Sequence, residues 1–452
     1  MRKLNMTGTV LKAMGVFSGV QMANIGCSVV RTKLVALWIG AAGVGLFGIY
    51  NSAIDMISTL TMLSIGVSAV RDLASEKEQE RIDYVAALIR RWGVILGVLG
   101  MAVMFLGAPL LSRLSFDDGE HAAMFRWLSP VVLLLALSST RQAVLQGLRR
   151  LKQLARASVI GAVAGVALSI PLFYWLRLDG VVPSIAVSAF ALFVAVRFYS
   201  RTTSAKSGRK TLTWSELWND GRGFIALGAL MTVSNFATML SNYAFISWLN
   251  VNAGTETTGL FQAGYTLFNR YIGLVFTAIS VEFYPRLSSV AWSRRRSSVF
   301  VGHEMSLVMI VLAIALAVFI PALPLVVRIL YSADFLPIVP FVAVAICGTV
   351  LRGLSWCMAF TMLARGDGRA YLSTEILSAV LYFGLNVVAY TRWGLIGLGY
   401  AYVVWYALYA VAVAIVYRFR YGLHLQRRPL LLSLGAFALS ALIATILLTI
   451  IQ

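Results

Sequence analysis

The sequence predicts an all-α protein that crosses a membrane about a dozen times, and three observations carry that prediction. Sixty per cent of the 452 residues are hydrophobic and only 12% are charged, where a soluble domain carries about a quarter. The apolar runs are about 20 residues or longer, the length a helix needs to cross the hydrocarbon core. They do not alternate apolar and polar residues as the strands of a membrane barrel do. In hydrocarbon every backbone N–H and C=O must be paired internally, so runs of this kind fold as helices.

In chain order, the apolar segments with polar punctuation predict spans at 9–30, 43–70, 84–112, 122–148, 154–176, 181–199, 222–249, 257–284, 303–327, 337–363, 370–391, 395–417 and 430–451. Met1-Arg2-Lys3 leads into a run that continues past Cys27 without a small-residue cleavage site, so this run reads as the first span and not as a cleaved signal. The last segment follows Arg427-Arg428-Pro429 and has no charge from Leu430 to Ile451, which predicts a thirteenth span. Lying beyond the first twelve, it is expected to be dispensable for the transport step.

Charge sets the orientation. With the N-terminus in the cytoplasm, 29 of the 38 Lys and Arg residues fall on the cytoplasmic side and seven on the outer side. That asymmetry is the positive-inside pattern. The net charge of +20 therefore reads as topology and attraction to membrane lipids, not as a nucleic-acid footprint.

The longest cytoplasmic connection, Arg197 to Arg222, divides the first twelve spans six and six. The predicted organisation is an N-terminal six-helix lobe at 1–200, a linker at 201–221, a second six-helix lobe at 222–420, and a basic linker with the extra helix at 421–452. A weak repeat at an offset of 214 residues supports it. Gly45-Leu46-Phe47 matches Gly259-Leu260-Phe261, Leu73 matches Leu287, and Ser75 matches Ser289. Halves with an even number of spans run parallel.

Three stretches carry a family resemblance. Gly40-Ala41-Ala42-Gly43-Val44-Gly45-Leu46-Phe47 resembles the Gly-rich turn before the second helix of oligosaccharide-lipid flippases. Gly259-Leu260-Phe261-Gln262-Ala263-Gly264, leading to Tyr284-Pro285-Arg286-Leu287-Ser288, is similar to their eighth helix. Gly394-Leu395-Ile396-Gly397-Leu398-Gly399-Tyr400-Ala401 resembles the start of their twelfth. Together they resemble Wzx-type flippases of O-antigen or enterobacterial common antigen, in the multidrug/oligosaccharidyl-lipid/polysaccharide exporter superfamily. The resemblance covers roughly residues 8 to 420, and the span at 430–451 departs from the twelve-helix family core. It implies two six-helix lobes in a V around a central cavity that opens alternately to either side. It also implies an undecaprenyl-pyrophosphate-linked oligosaccharide as substrate, a bacterial inner-membrane location, and the polysaccharide polymerase machinery as a candidate partner.

Charged residues inside the spans are the first candidates for function, because a mid-bilayer charge costs about 2.5–3.5 kcal/mol even on lenient scales. Four stand out: Asp55, Arg270, Arg352 and Glu375. Arg270 and Arg352 read either as binders of the pyrophosphate, for which a guanidinium offers forked donors, or as ion-pair partners of Asp55 or Glu375. The two carboxylates are candidates for coupling transport to a proton or cation. Arg31 and Lys33, just outside the first span, either guide anionic sugars or contact lipid headgroups. Asn24 and Asn269 belong to a set of polar residues in the spans that either bond sugar hydroxyls or join helices. Trp405, Tyr406 and Tyr409 lie too deep in the twelfth span for an interfacial belt, so sugar stacking and core packing are both open. Two GxxxG patterns, Gly93 to Gly97 and Gly161 to Gly165, read as close helix contacts.

No Gly-Lys dipeptide occurs, so the chain has no Walker A loop. The three histidines are scattered, and Cys27, Cys347 and Cys357 lie inside apolar runs. The expectation is a transporter without a catalytic site, metal or cofactor, driven by an ion or substrate gradient. The rival within the superfamily is a cation-coupled multidrug antiporter. A membrane glycosyltransferase or polymerase would need a large outer loop, and the predicted outer loops are short.

Overall fold

The structure, a computed structural model, describes residues 2–63, 70, 73, 78–204 and 214–451. Among these residues there are helices and turns but no strand. In order, α1 is Arg2–Trp38, α2 Gly40–Met62, α3 Gln79–Phe116, α4 Ala122–Gly147, α5 Leu151–Leu176, α6 Val181–Ser204 and α7 Trp214–Tyr265. A π-helical turn, Thr266–Tyr271, leads into α8, Ile272–Val290. Then come α9 Arg294–Leu330, α10 Ile338–Ala364, α11 Gly368–Ile415, a second π-helical turn Val416–Arg420, and α12 Arg427–Ile451. Seven helical stretches among the described residues are long and apolar enough to cross a membrane, including 294–330, 338–364 and 427–450.

Two of the predicted breaks are glycine kinks inside continuous helices. Gly254 (φ 82°, ψ 167°) interrupts α7 and Gly394 (φ 60°, ψ −145°) interrupts α11. Both conformations are open to glycine and strained for residues with a Cβ. The gaps predicted between spans 7 and 8 and between spans 11 and 12 fall on these two residues, so the chain reverses direction there without a loop.

The helix that carries the first expected span, 9–30, extends beyond it: α1 continues through Arg31 and Lys33 to Trp38. Nothing at Arg31-Thr32-Lys33 breaks a helix, and the Thr32 hydroxyl donates back to the Ser28 carbonyl at 2.9 Å. The helix ends at Gly40, whose φ of +83° turns the chain.

The chain divides into two compact units, 1–239 and 240–452. In the first, α3 packs on α4, α5 on α6, and α1 on α5. The GxxxG glycines make these approaches possible. A Cβ on Gly161 would come within 2.9 Å of the Leu192 backbone, and one on Gly93 within 2.6 Å of the Thr140 side chain. In the second unit α10 is the central element, packed against α11, α9 and α12. Most of its apolar residues are buried, among them Phe341, Val342, Ile346, Val350 and Met358. The α12 helix belongs to this unit. It packs on α9 and α10 and buries Ser433, Ala436, Ser440 and Ala444. Its three- and four-residue spacing places these small side chains on one face.

Candidate functional site

The second unit gathers most of the intramembrane polar chemistry around α10 and α11. Arg352 on α10 is half-buried. Its Nη1 donates to Asn269 Oδ1 at 2.6 Å. Its guanidinium carbon lies 5.2 Å from the ring centre of Phe276 and 5.9 Å from that of Tyr406. Two aromatic faces and one neutral amide therefore hold the cation, and among the described residues no carboxylate pairs with it. A guanidinium keeps its proton in such surroundings, so the site holds a fixed positive charge.

Asn269 reaches Arg352 because it stands in the π-helical turn Thr266–Tyr271. A π turn inserts a residue into the helical ladder and re-aims the side chains it carries. Arg270 is in the same turn, but its side chain lies outside the described residues.

The second half of α11 lies close to α10 because Gly348 leaves room for it. A Cβ there would meet the Tyr402 ring at 2.7 Å and the Val403 backbone at 3.1 Å. From that half, Tyr402, Tyr406 and Tyr409 project at helical spacing. The Tyr402 hydroxyl is buried beside the Arg352 guanidinium, and the Thr349 hydroxyl, one turn before Arg352, is buried with no hydrogen-bond partner among the described residues. Farther along, the Tyr409 hydroxyl donates to Glu375 Oε1 at 2.7 Å. Trp405 Nε1 donates to the Ser378 hydroxyl at 3.1 Å. These two bonds are adjacent rungs across the hairpin that Gly394 creates within α11.

Of the alternatives open for Arg352, an ion pair with Glu375 is not formed among the described residues. Arg352 pairs with Asn269 and Glu375 with Tyr409, because the α11 hairpin turns Glu375 toward its own second half. Trp405 and Tyr409 are buried, with Trp405 4.9 Å from the Tyr382 ring, so these two pack the core. Tyr406 is half-buried and adjoins the guanidinium. Asn386 donates to the Tyr382 carbonyl one turn earlier in its own helix at 2.7 Å, and Asn242 accepts from the Tyr382 hydroxyl at 3.3 Å, joining α7 to α11.

The remaining candidates belong to the first unit. Arg31 lies over the Phe47 ring at 5.2 Å, tying α1 to α2. Lys33 and Asn24 are half-buried on α1, and Asp55 is exposed on α2. Sequence reasoning missed Phe276 and did not connect Tyr406 with Arg352. The four-residue step from Tyr402 to Tyr406 put both on one face, but nothing local indicated which helix that face meets. Among the described residues no three His, Cys, Asp or Glu side chains cluster as a metal site would.

A model of the family described as "Polysaccharide biosynthesis protein" matches residues 10–291. The lipid III flippase of Escherichia coli (strain K12) is 21% identical over 409 residues, covering 86% of this chain and 93% of the flippase. The lipid III flippase of Shigella flexneri matches to the same extent. Among solved structures, an inward-facing multidrug resistance MATE family transporter of the MOP superfamily superposes with a TM-score of 0.70 at 15% identity, over 89% of this chain and 94% of that one. The lipid II flippase MurJ, in an inward closed conformation, gives 0.67 at 14% identity, over 96% and 97%. At these identities the two structures show a shared fold.

Proposed function

From the premise that this chain belongs to the polysaccharide biosynthesis protein family, we propose that it is a flippase for lipid-linked oligosaccharide. The substrate we assign is an undecaprenyl-pyrophosphate-linked O-antigen or related repeat unit, moved from the cytoplasmic to the periplasmic leaflet by alternating access of two six-helix lobes. The protein would sit in a bacterial inner membrane with its N-terminus in the cytoplasm, perform no chemistry, and hand its cargo to the polysaccharide polymerase machinery. The similarity to lipid III flippases over most of the chain supports the substrate class.

The observation that carries this reading is Arg352 beside Asn269. A half-buried guanidinium stabilised by aromatic faces and a neutral amide retains unused donors and an uncompensated charge. A pyrophosphate leaving the headgroup region loses its water, and charge-assisted bonds to such a cation replace part of it. Arg270, in the same turn as Asn269, would add a second donor set. Arg31, Lys33 and Asn24 would meet the sugars from the first lobe. Asp55 and Glu375 are the proposed ion-coupling carboxylates. The Glu375–Tyr409 bond also suits the second reading, a cation-coupled multidrug antiporter.

The test is complementation of a flippase-deleted strain, read as surface polysaccharide per molecule of protein, beside efflux of a cationic dye. Restored polysaccharide with no dye efflux supports the flippase. Dye efflux with lipid-linked repeat units still trapped inside would overturn it in favour of the antiporter.

A further inference from the structure

We propose that the basic end of the second unit is a docking surface for anionic phospholipid headgroups, separate from the Arg352 site. The surface is assembled from three stretches: 286–298, 365–369 and 416–428. Together they hold ten arginines and a single carboxylate, Asp367.

Side-chain bonds between the connections lock the three stretches together. Asp367 Oδ2 accepts from Arg420 Nε at 2.6 Å and from the Tyr421 hydroxyl at 2.8 Å. Its Oδ1 accepts from Arg420 Nη2 at 3.1 Å and from the Ala370 amide at 3.2 Å. Arg365 donates from Nε to the Ala291 carbonyl at 3.0 Å and lies 4.7 Å over the Tyr421 ring. The Ser298 hydroxyl donates to the His424 carbonyl at 2.6 Å. The only acid is thus consumed within this clasp.

The remaining cations face outward. Arg295 and Arg296 in the first turn of α9 are exposed, as are Arg427 and Arg428 at the start of α12. Among the described residues none of these four forms an ion pair. The α9 and α12 helices pack on each other, and the Gln426 side chain occupies the space beside Gly302, so the two arginine clusters belong to one face. Like charges held this close repel, and the cost is relieved by a layer of counter-charge. Two aromatic side chains identify the kind of layer. Trp292 and Phe419, each 82% exposed, flank the arginines in sequence. An aromatic ring projecting beside cations at the end of a membrane span matches the headgroup level of a bilayer, where rings sit among the phosphates. Juxtamembrane arginines draw anionic lipid at about fivefold per residue.

The test uses the full-length protein in phosphatidylcholine nanodiscs doped with either brominated phosphatidylglycerol or brominated phosphatidylcholine. The Trp292 signal is the emission of wild type minus that of Trp292→Phe. Brominated phosphatidylglycerol should quench it at least about fivefold more effectively. The combined variant Arg295→Gln, Arg296→Gln, Arg427→Gln and Arg428→Gln should lose that preference, whereas the same four positions changed to Lys should keep it, since a lipid surface attracts point charges. The Lys variant separates lost charge from a damaged fold. Equal quenching by the two lipids, or a preference that survives the four Gln substitutions, would overturn the proposal. So would abolition of the preference by inorganic phosphate, which would make this a free-phosphate site, or retention of a short RNA without lipid preference, which would assign the face to nucleic acid.

Discussion

Arg352 and Asn269 meet at 2.6 Å, and the bond joins the centre of α10 to the π-helical turn that also carries Arg270. Replacing Arg352 with Ala removes a charge-assisted contact to a desolvated anion, worth roughly 1.5–3 kcal/mol. Flipping should fall about tenfold to hundredfold, with insertion and abundance close to normal. Lys should restore part of the loss, because it lacks the fork. Asn269→Ala should give a smaller defect, since it frees the guanidinium without removing it. The readout is surface polysaccharide normalised to protein level, and undiminished flipping by Arg352→Ala would reject the assignment.

Glu375 and Tyr409 are 2.7 Å apart, and a glutamine at 375 still accepts that bond. Glu375→Gln should therefore leave protein abundance unchanged while removing the response of transport to an imposed pH gradient in proteoliposomes. Tyr409→Phe leaves the carboxylate without its donor and should lower stability by about 1–3 kcal/mol. If Glu375→Gln retains the full pH response, the coupling role belongs elsewhere.

Asp367 makes the clasp pH-sensitive. Burial opposes its charge, but the Tyr421 hydroxyl, the Ala370 amide and Arg420 outweigh burial and hold the carboxyl below its ordinary value. A depressed carboxyl contributes stability that is present above its unfolded pKa, near 3.9, and lost as pH falls through the folded value. Asp367→Asn should lower Tm in detergent at neutral pH by on the order of 2 °C. The difference from wild type should close only as pH falls through the depressed folded value, below the ordinary carboxylate range.

The α12 helix is part of the second unit, so removing it should damage the protein before it damages transport. Ser440→Leu forces a larger side chain into a buried position, at a cost of about 1–3 kcal/mol. That variant, and truncation after Gln426, should reduce abundance while leaving flipping per remaining molecule unchanged. Loss of flipping at normal abundance would instead place α12 in the transport step.

Single cysteines at Asp118 or Gly119, in a background lacking the native three, should react with impermeant maleimide in intact cells. A cysteine at Arg295 should not react until the cells are opened. Labelling at 295 from outside would invert the proposed orientation and move the lipid-docking surface to the other leaflet.

Much of the helical framework was legible in the sequence because hydrocarbon leaves the backbone few options. Apolar length located the helices, and the gaps it left at 249–257 and 391–395 contain the two glycines, 254 and 394, at which the chain turns without a loop. The paired glycines at 161 and 165 announced a close helix contact because only the missing Cβ permits one. The expected span at 9–30 covers only part of α1, because Arg31 and Lys33 continue a helix readily and the turn comes at Gly40.

The sequence by itself determined that this chain folds as membrane-spanning helices, where most of them begin and end, and which charged residues fall inside apolar runs, where a charge demands a reason. Those follow from solvation and backbone hydrogen bonding, which act residue by residue. Tertiary structure alone decided that Arg352 turns to Asn269 and two aromatic rings, that Glu375 turns to Tyr409, and that α12 seats its small face on α9 and α10. Partner choice depends on helix rotation and on the register between segments far apart in the chain, 83 residues for Arg352 and Asn269. Rotation and register are set by how whole faces interlock, which local composition does not encode.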